Sequence, residues 1–160
     1  MYDFNYHKPG SVDEAIQLFL GAQDGVYLAG GHTLLPSMKQ RLAAPTDVID
    51  LAGIEGLSGV KSVGSDIEIG ALTAHDEVAN SPVVQSVIPA LAELASLIGD
   101  AQVRNRGTIG GSVANSDPAA DYPAGVLGLG AEIITNKRSI TADDFFTAMF
   151  ETALEEGELI

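Results

Sequence analysis

The 160-residue chain is 46% hydrophobic and 19% charged, a balance that specifies a folded core rather than a disordered polymer. Its 22 acidic against 8 basic residues give a net charge of −14, which disfavours nucleic acid and anionic membrane, because both demand a basic face. There is no cysteine, which excludes disulfides, thiolate metal sites and any iron–sulfur cluster ligated by this chain. No apolar run approaches the roughly 18 residues of a membrane span. The opening MYDFNYHKPGSVDEA lacks the pattern of a signal or transit peptide, so the expected compartment is the cytoplasm.

Met1 to Tyr6 alternates aromatic and polar side chains and predicts an edge strand. Ser11-Val12-Asp13-Glu14 matches the S-x-x-E capping box, and Val12, Ala15, Ile16 and Phe19 follow at helical spacing, predicting a helix from Val12 to Leu20. Val26 to Ala29 reads as a short buried strand running into Gly30-Gly31-His32-Thr33. Leu34, Leu35, Met38 and Leu42 give a second helical face, with Thr33 as its cap. Asp47 to Leu51 is the next strand. Val60 to Ala71 predicts a hairpin turning at Gly64-Ser65-Asp66. Thr73 is expected to cap a helix through Val78, and Ser81-Pro82 to open another, with Pro89 breaking the run and a further helical piece reaching Ile98. Tyr122 to Leu129 reads as helix, Ala131 to Thr135 with Ser139 to Thr141 as a hairpin, and Asp143 to Met149 as a final helix. The acidic tail from Glu151 to Glu158 reads as solvated. Near Leu51 to Leu57 the βαβ-like pattern gives way to hairpins and helices, which places a boundary between a lobe of residues 1–54 and a second lobe of residues 55–160.

Two segments share one design: a hydrophobic approach, a glycine pair, then a hydroxyl residue. They are Leu28-Ala29-Gly30-Gly31-His32-Thr33 and Thr108-Ile109-Gly110-Gly111-Ser112. Glycine lets backbone N–H groups approach a ligand with no Cβ in the way, and successive N–H groups form a concave anion site. Two such turns facing one another suit the two phosphates of a pyrophosphate. Neither is G-x-G-x-x-G, and the Walker A pattern is absent. The plainer alternative, that each pair is only a tight turn, stays open on spacing alone. Arg104 and Arg106 could neutralise phosphate or meet an acidic partner, or could form internal ion pairs. Asp121 could accept from ribose hydroxyls or could serve as a helix cap. His32 could donate to phosphate, whereas His7 and His75 read as surface residues, and the three are too scattered for a metal site. With no G-x-S-x-G, no H-E-x-x-H and no cysteine nucleophile, a hydrolase reading has no support.

The segments AGGHTLLPSMKQRLAAPTDVIDL (Ala29 to Leu51) and VRNRGTIGGSVANSDPAADYPAGVLGLGAEI (Val103 to Ile133), with the opening F-x-Y-H-x-P-x-S-V-D-E-A, closely resemble the FAD-binding medium subunit of the molybdenum hydroxylases. That family includes the carbon monoxide dehydrogenase medium chain and the FAD domain of xanthine dehydrogenase. The resemblance implies a two-lobed α+β fold of the p-cresol methylhydroxylase/vanillyl-alcohol oxidase type, with FAD between the lobes. It implies a pyrophosphate held by Ala29, Gly30, Gly31, His32 and Thr33 and by Thr108, Gly110, Gly111 and Ser112, with Asp121 on the ribose or adenine side. Ser112 stands where the family often has asparagine, and the stretch from Ile98 to Val103 would lie near the isoalloxazine. The partners implied are an iron–sulfur small subunit and a molybdopterin large subunit, with electrons passing through FAD to an external acceptor. Family subunits continue into a C-terminal domain, and this chain stops at Glu158-Leu159-Ile160, about where that domain would begin. The alternatives are a truncated nucleotide-binding or structural module without redox activity, and a free-standing flavin enzyme, for which the length leaves little room. Valine at Gly31 or Gly110 is expected to abolish FAD binding and leave the fold largely intact.

Overall fold

The computed structural model describes residues 1–160 and is a mixed helix-and-sheet protein built around two hydrophobic cores. The first third of the chain is a β-α-β-α-β unit. Strand β1 (Asn5–His7), helix α1 (Val12–Gly21), strand β2 (Gly25–Leu28), helix α2 (Leu34–Lys39) and strand β3 (Asp47–Asp50) follow one another. The three strands form a parallel sheet in the order β1-β3-β2, with Asn5 and Gly25 both in register with Asp47. Parallel pairing requires the helical crossovers, and the central strand is correspondingly apolar: Val48 and Ile49 are buried. Ser11 caps α1 by accepting from the Glu14 N–H, and Glu14 reaches back to the Gly10 N–H at 2.8 Å, one residue earlier than the ideal capping box. Ala15 packs with Ile49, Leu51 and Ile54, and Phe19 stacks on Tyr27 with ring centroids 4.6 Å apart.

The remainder is mostly helical. Hairpin strands β4 (Val60–Val63) and β5 (Asp66–Ile69) lead into α3 (His75–Asn80), α4 (Pro82–Val87), α5 (Pro89–Leu97), α6 (Ala101–Arg104), α7 (Ile109–Asn115) and α8 (Asp121–Gly128). Hairpin β6 (Glu132–Ile134)/β7 (Ser139–Thr141), the short α9 (Ala142–Phe145) and hairpin β8 (Phe146–Ala148)/β9 (Glu151–Thr152) complete it. The second core joins Val78, Val84, Leu91 and Ala95 to Val113, Tyr122, Val126 and Phe145. No helix is long and apolar enough to cross a membrane.

Several sequence expectations need correction. Thr33 makes no side-chain cap bond to α2, and Leu42 lies beyond that helix, 78% exposed. Thr73 does not cap α3. Its hydroxyl is buried between the Gly59 N–H (2.9 Å) and the Gly59 carbonyl (3.1 Å), and Ala74 takes the cap position. Asp66 belongs to a strand, opposite Val63, so only Gly64 and Ser65 turn the hairpin. The helix expected over Asp143 to Met149 ends at Phe145, where the chain turns into β8 and the Phe145 carbonyl accepts from Ala153. The acidic tail is not uniformly solvated. Glu158 is buried, takes Arg138 in a two-pronged ion pair at 3.0 Å on each oxygen, and accepts from Thr135. Its neighbour Leu159 packs into the first core, so the chain end returns to the β-α-β-α-β unit.

Candidate functional site

Strand β2 delivers the first glycine turn. The chain leaves the sheet at Ala29 and swings through Gly30 and Gly31 into α2. Gly31 has φ +75°, a left-handed conformation that favours glycine, and a Cβ there would stand 2.9 Å from Leu35 Cδ1. The swing has a chemical consequence. The backbone N–H groups of Gly30, Gly31, His32, Thr33 and Leu34 donate to no acceptor in the protein; the first α2 bond runs from Leu35 to the Gly31 carbonyl at 3.1 Å. Gly30 and Gly31 are half-exposed, and His32 and Thr33 are exposed, so these donors are open to an incoming group. The His32 ring folds back, with Nδ1 3.2 Å from the Gly30 carbonyl oxygen.

The second turn is built differently. The Ile109 N–H donates to Thr73 (3.1 Å), the Gly110 N–H to Ala71 (2.8 Å), and the Gly111 N–H to the Thr108 hydroxyl that caps α7 (3.1 Å). Gly110 is buried, and a Cβ on it would lie 2.5 Å from the Ala71 Cβ. Glycine at 110 therefore answers to the packing of Ala71, not to an approaching ligand. The expectation that Gly110→Val would leave the fold largely intact is corrected accordingly. What this turn leaves unbonded is the half-buried hydroxyl of Ser112.

The two turns touch. A Cβ on Gly30 would overlap the Arg106 carbonyl oxygen and stand 2.8 Å from Gly107 Cα, while a Cβ on Gly111 would lie 3.6 Å from the Ala29 methyl. Gly107 is fixed from both sides, its N–H donating to Val103 (2.7 Å) and its carbonyl accepting from His75 (3.0 Å). Beneath it lies His75, which sequence reasoning placed on the surface. His75 is 5% exposed, its Nε2 sits 2.5 Å from where a Gly107 Cβ would be, and its ring lies 5.2 Å from that of Tyr122. Burial, then the neighbouring charge of His32, push the His75 pKa down to about 4. Its Nδ1 and the Tyr122 hydroxyl are the two buried side-chain polar atoms without a partner, and burial raises the Tyr122 pKa. The available signal was helical phase: His75, Val78 and Ala79 share the buried face of α3 at i, i+3 and i+4.

The remaining expected residues separate. Arg104 takes the internal role, donating to the carbonyls of Ile98 (3.1 Å) and Gly99 (3.4 Å), with Nε 3.9 Å from Asp76. The exposed Arg106 side chain has no hydrogen bond or ion pair. Asp121 is exposed in the first turn of α8. It is not the cap, which is Ala120, and the next residue, Tyr122, packs its ring against His75, which lies beneath Gly107.

A run of unpaired backbone donors beside a second glycine turn, in a mixed helix-and-sheet protein, is an arrangement that can receive an anion such as a pyrophosphate. Residues 2–160 match the family described as the FAD binding domain in molybdopterin dehydrogenase, and the chain belongs to that family. FAD is accordingly its cofactor. The chain is 45% identical over 163 residues to the carbon monoxide dehydrogenase medium chain of Hydrogenophaga pseudoflava, covering 98% of this chain and 56% of that one. It is 37% identical to the glyceraldehyde dehydrogenase medium chain of Sulfolobus acidocaldarius, covering 99% of this chain and 58% of the relative. The solved structure of carbon monoxide dehydrogenase from Hydrogenophaga pseudoflava, in a form lacking the Mo-pyranopterin moiety of its cofactor, superposes with a TM-score of 0.96 at 44% identity, over 99% of this chain and 57% of that one. The chain thus spans somewhat more than half the length of these relatives.

Proposed function

We propose that this chain is the FAD-holding part of a molybdenum hydroxylase-type oxidoreductase. In this reading the fold is of the p-cresol methylhydroxylase/vanillyl-alcohol oxidase type, with lobes of residues 1–54 and 55–160. The supporting observation is the open run of N–H donors from Gly30 to Leu34. Ala29 to Thr33 hold one side of the pyrophosphate. Thr108, Gly111 and Ser112 form the opposing wall, seated on Ala71 by Gly110 behind it; Thr108 fixes the start of α7 and Ser112 offers its unbonded hydroxyl. Asp121 takes the ribose or adenine side.

When bound, FAD supplies the redox chemistry, accepting and releasing electrons. The protein's part is binding and orientation, and none of its side chains acts as general acid or base. A cysteine-free chain cannot ligate an iron–sulfur cluster through thiolates. That agrees with a reading in which electrons arrive from a separate iron–sulfur subunit, itself supplied by a molybdopterin subunit, and leave to an external acceptor in the cytoplasm.

The test combines FAD titration, followed by flavin fluorescence, with amide hydrogen exchange. We expect saturable binding at one FAD per chain. The amides of Gly30 to Leu34 exchange rapidly without FAD and become protected with it, whereas Gly110, already bonded to Ala71, is slow in both states. A folded chain that fails to bind FAD, or that binds it without protecting this run, would sink the assignment.

A further inference from the structure

We infer that Arg106 supplies the cationic half of the anion site, so that a dinucleotide pyrophosphate is clasped between the backbone donors of the first turn and a guanidinium from the second. The inference rests on the FAD reading above and adds a residue and a recognition rule to it. The chain has four arginines. Arg41 lies over the Tyr2 ring at 5.4 Å. Arg104 is bonded to two carbonyls and faces Asp76. Arg138 holds Glu158 and the Ala153 carbonyl. Arg106 alone makes no hydrogen bond, ion pair or ring contact, in a protein with 22 carboxylates to choose from. It is also the arginine whose own backbone carbonyl is packed against Gly30, at the head of the five unpaired N–H groups.

Those facts complement one another electrically. A net charge of −14 repels a pyrophosphate at long range, and backbone dipoles alone must overcome that repulsion unless a full positive charge stands beside them. A guanidinium presents paired N–H groups in the geometry that phosphate oxygens accept, and such charge-assisted bonds are about twice as strong as neutral ones. The site therefore selects for the pyrophosphate bridge itself. FAD and ADP share it, and riboflavin and adenosine lack it.

Calorimetric titration of FAD, ADP and riboflavin at low and high salt tests this with the wild-type chain, Arg106→Gln, Arg106→Lys and Lys61→Gln. The last makes the same charge change on the exposed β4–β5 hairpin. We expect Arg106→Gln to weaken FAD and ADP alike by about ten- to a hundredfold and to flatten their salt dependence, with Arg106→Lys recovering part of the loss. Lys61→Gln should stay within about twofold, as should riboflavin with every variant. Arg106→Gln that binds FAD as the wild type does, or loses no more than Lys61→Gln, overturns the inference and leaves the FAD reading standing. Unfolding of Arg106→Gln would reveal an internal partner and overturn it too. A wild-type chain that binds neither FAD nor ADP overturns the FAD reading itself.

Discussion

Gly30→Ala is the sharpest probe of the contact between the two turns. The added methyl would overlap the Arg106 carbonyl oxygen, and because that oxygen is backbone it has no rotamer to retreat into. The segment behind it cannot give way freely. Gly107 is bonded to Val103 on one side and to His75 on the other, and Thr108 pairs with Ala74. Either the first turn lifts or one of those bonds breaks. Overpacking of this kind costs about 1–3 kcal/mol, and a lost hydrogen bond about 1 more, giving about 2–4 kcal/mol in total. For a domain of this size that is a fall in Tm of roughly 5–15 °C. FAD should bind more than about tenfold more weakly, because donors displaced from their acceptor lose most of their bond strength. Thermal unfolding and FAD titration read both effects, and Gly128→Ala provides the control. Gly128 lies in α8 with open space around it, so alanine there should stabilise by up to about 1 kcal/mol through helix propensity alone. If Gly30→Ala melted within about 2 °C of wild type and kept its FAD affinity, the contact between the turns would not be what holds the site.

Acid should destabilise the protein in two overlapping windows, measured by denaturant titration across pH. Burial holds the folded pKa of His75 at about 4 against 6.5, so the unfolded state binds the extra proton and stability falls as pH drops from above 6.5 towards 4. His75→Gln should flatten that part of the profile. Arg138 holds the Glu158 carboxyl at about 2 against 4.5, so its contribution is complete above about pH 5 and is lost as pH falls towards 2. With Arg138 42% exposed, that contribution is on the order of 2 kcal/mol, and Glu158→Gln should remove the low-pH slope. Tyr122→Phe removes a buried hydroxyl without a protein partner and should be neutral or stabilising by up to about 1 kcal/mol. A loss of more than about 1 kcal/mol would mean that an internal water satisfies it. Gly110→Val should lower Tm even without FAD, because its side chain meets Ala71; an unchanged Tm with lost FAD binding would return Gly110 to a ligand-facing role.

Much of the local structure was written in short-range chemistry. Ser11 and Ser81 cap their helices because the accepting oxygen and the donor N–H are three residues apart, and Pro82 and Pro89 open helices because proline has no N–H to lose there. The hairpins at β4–β5 and β6–β7 follow from alternation around turn residues, and the glycine pairs were visible as unusual backbone. Several of the expectations that failed are ones in which a distant partner outbids a near one. Thr73 gives its hydroxyl to Gly59, fourteen residues away, instead of to α3. Phe146 pairs with Thr152 and ends the helix that its own stretch predicted. Glu158 and His75 look like surface residues in any sequence window, and they are buried because Arg138 in one case and Tyr122 in the other pack over them. The site shows the same division. Sequence marked both glycine pairs but could not tell them apart. Only the packed structure sets Gly30 against Arg106, commits the N–H groups of the second turn to Thr73, Ala71 and Thr108, and leaves those of the first turn unpaired. A glycine's freedom is a property of the residue, but whether its N–H is spent inside the protein or kept for a ligand depends on which acceptors the fold brings within reach.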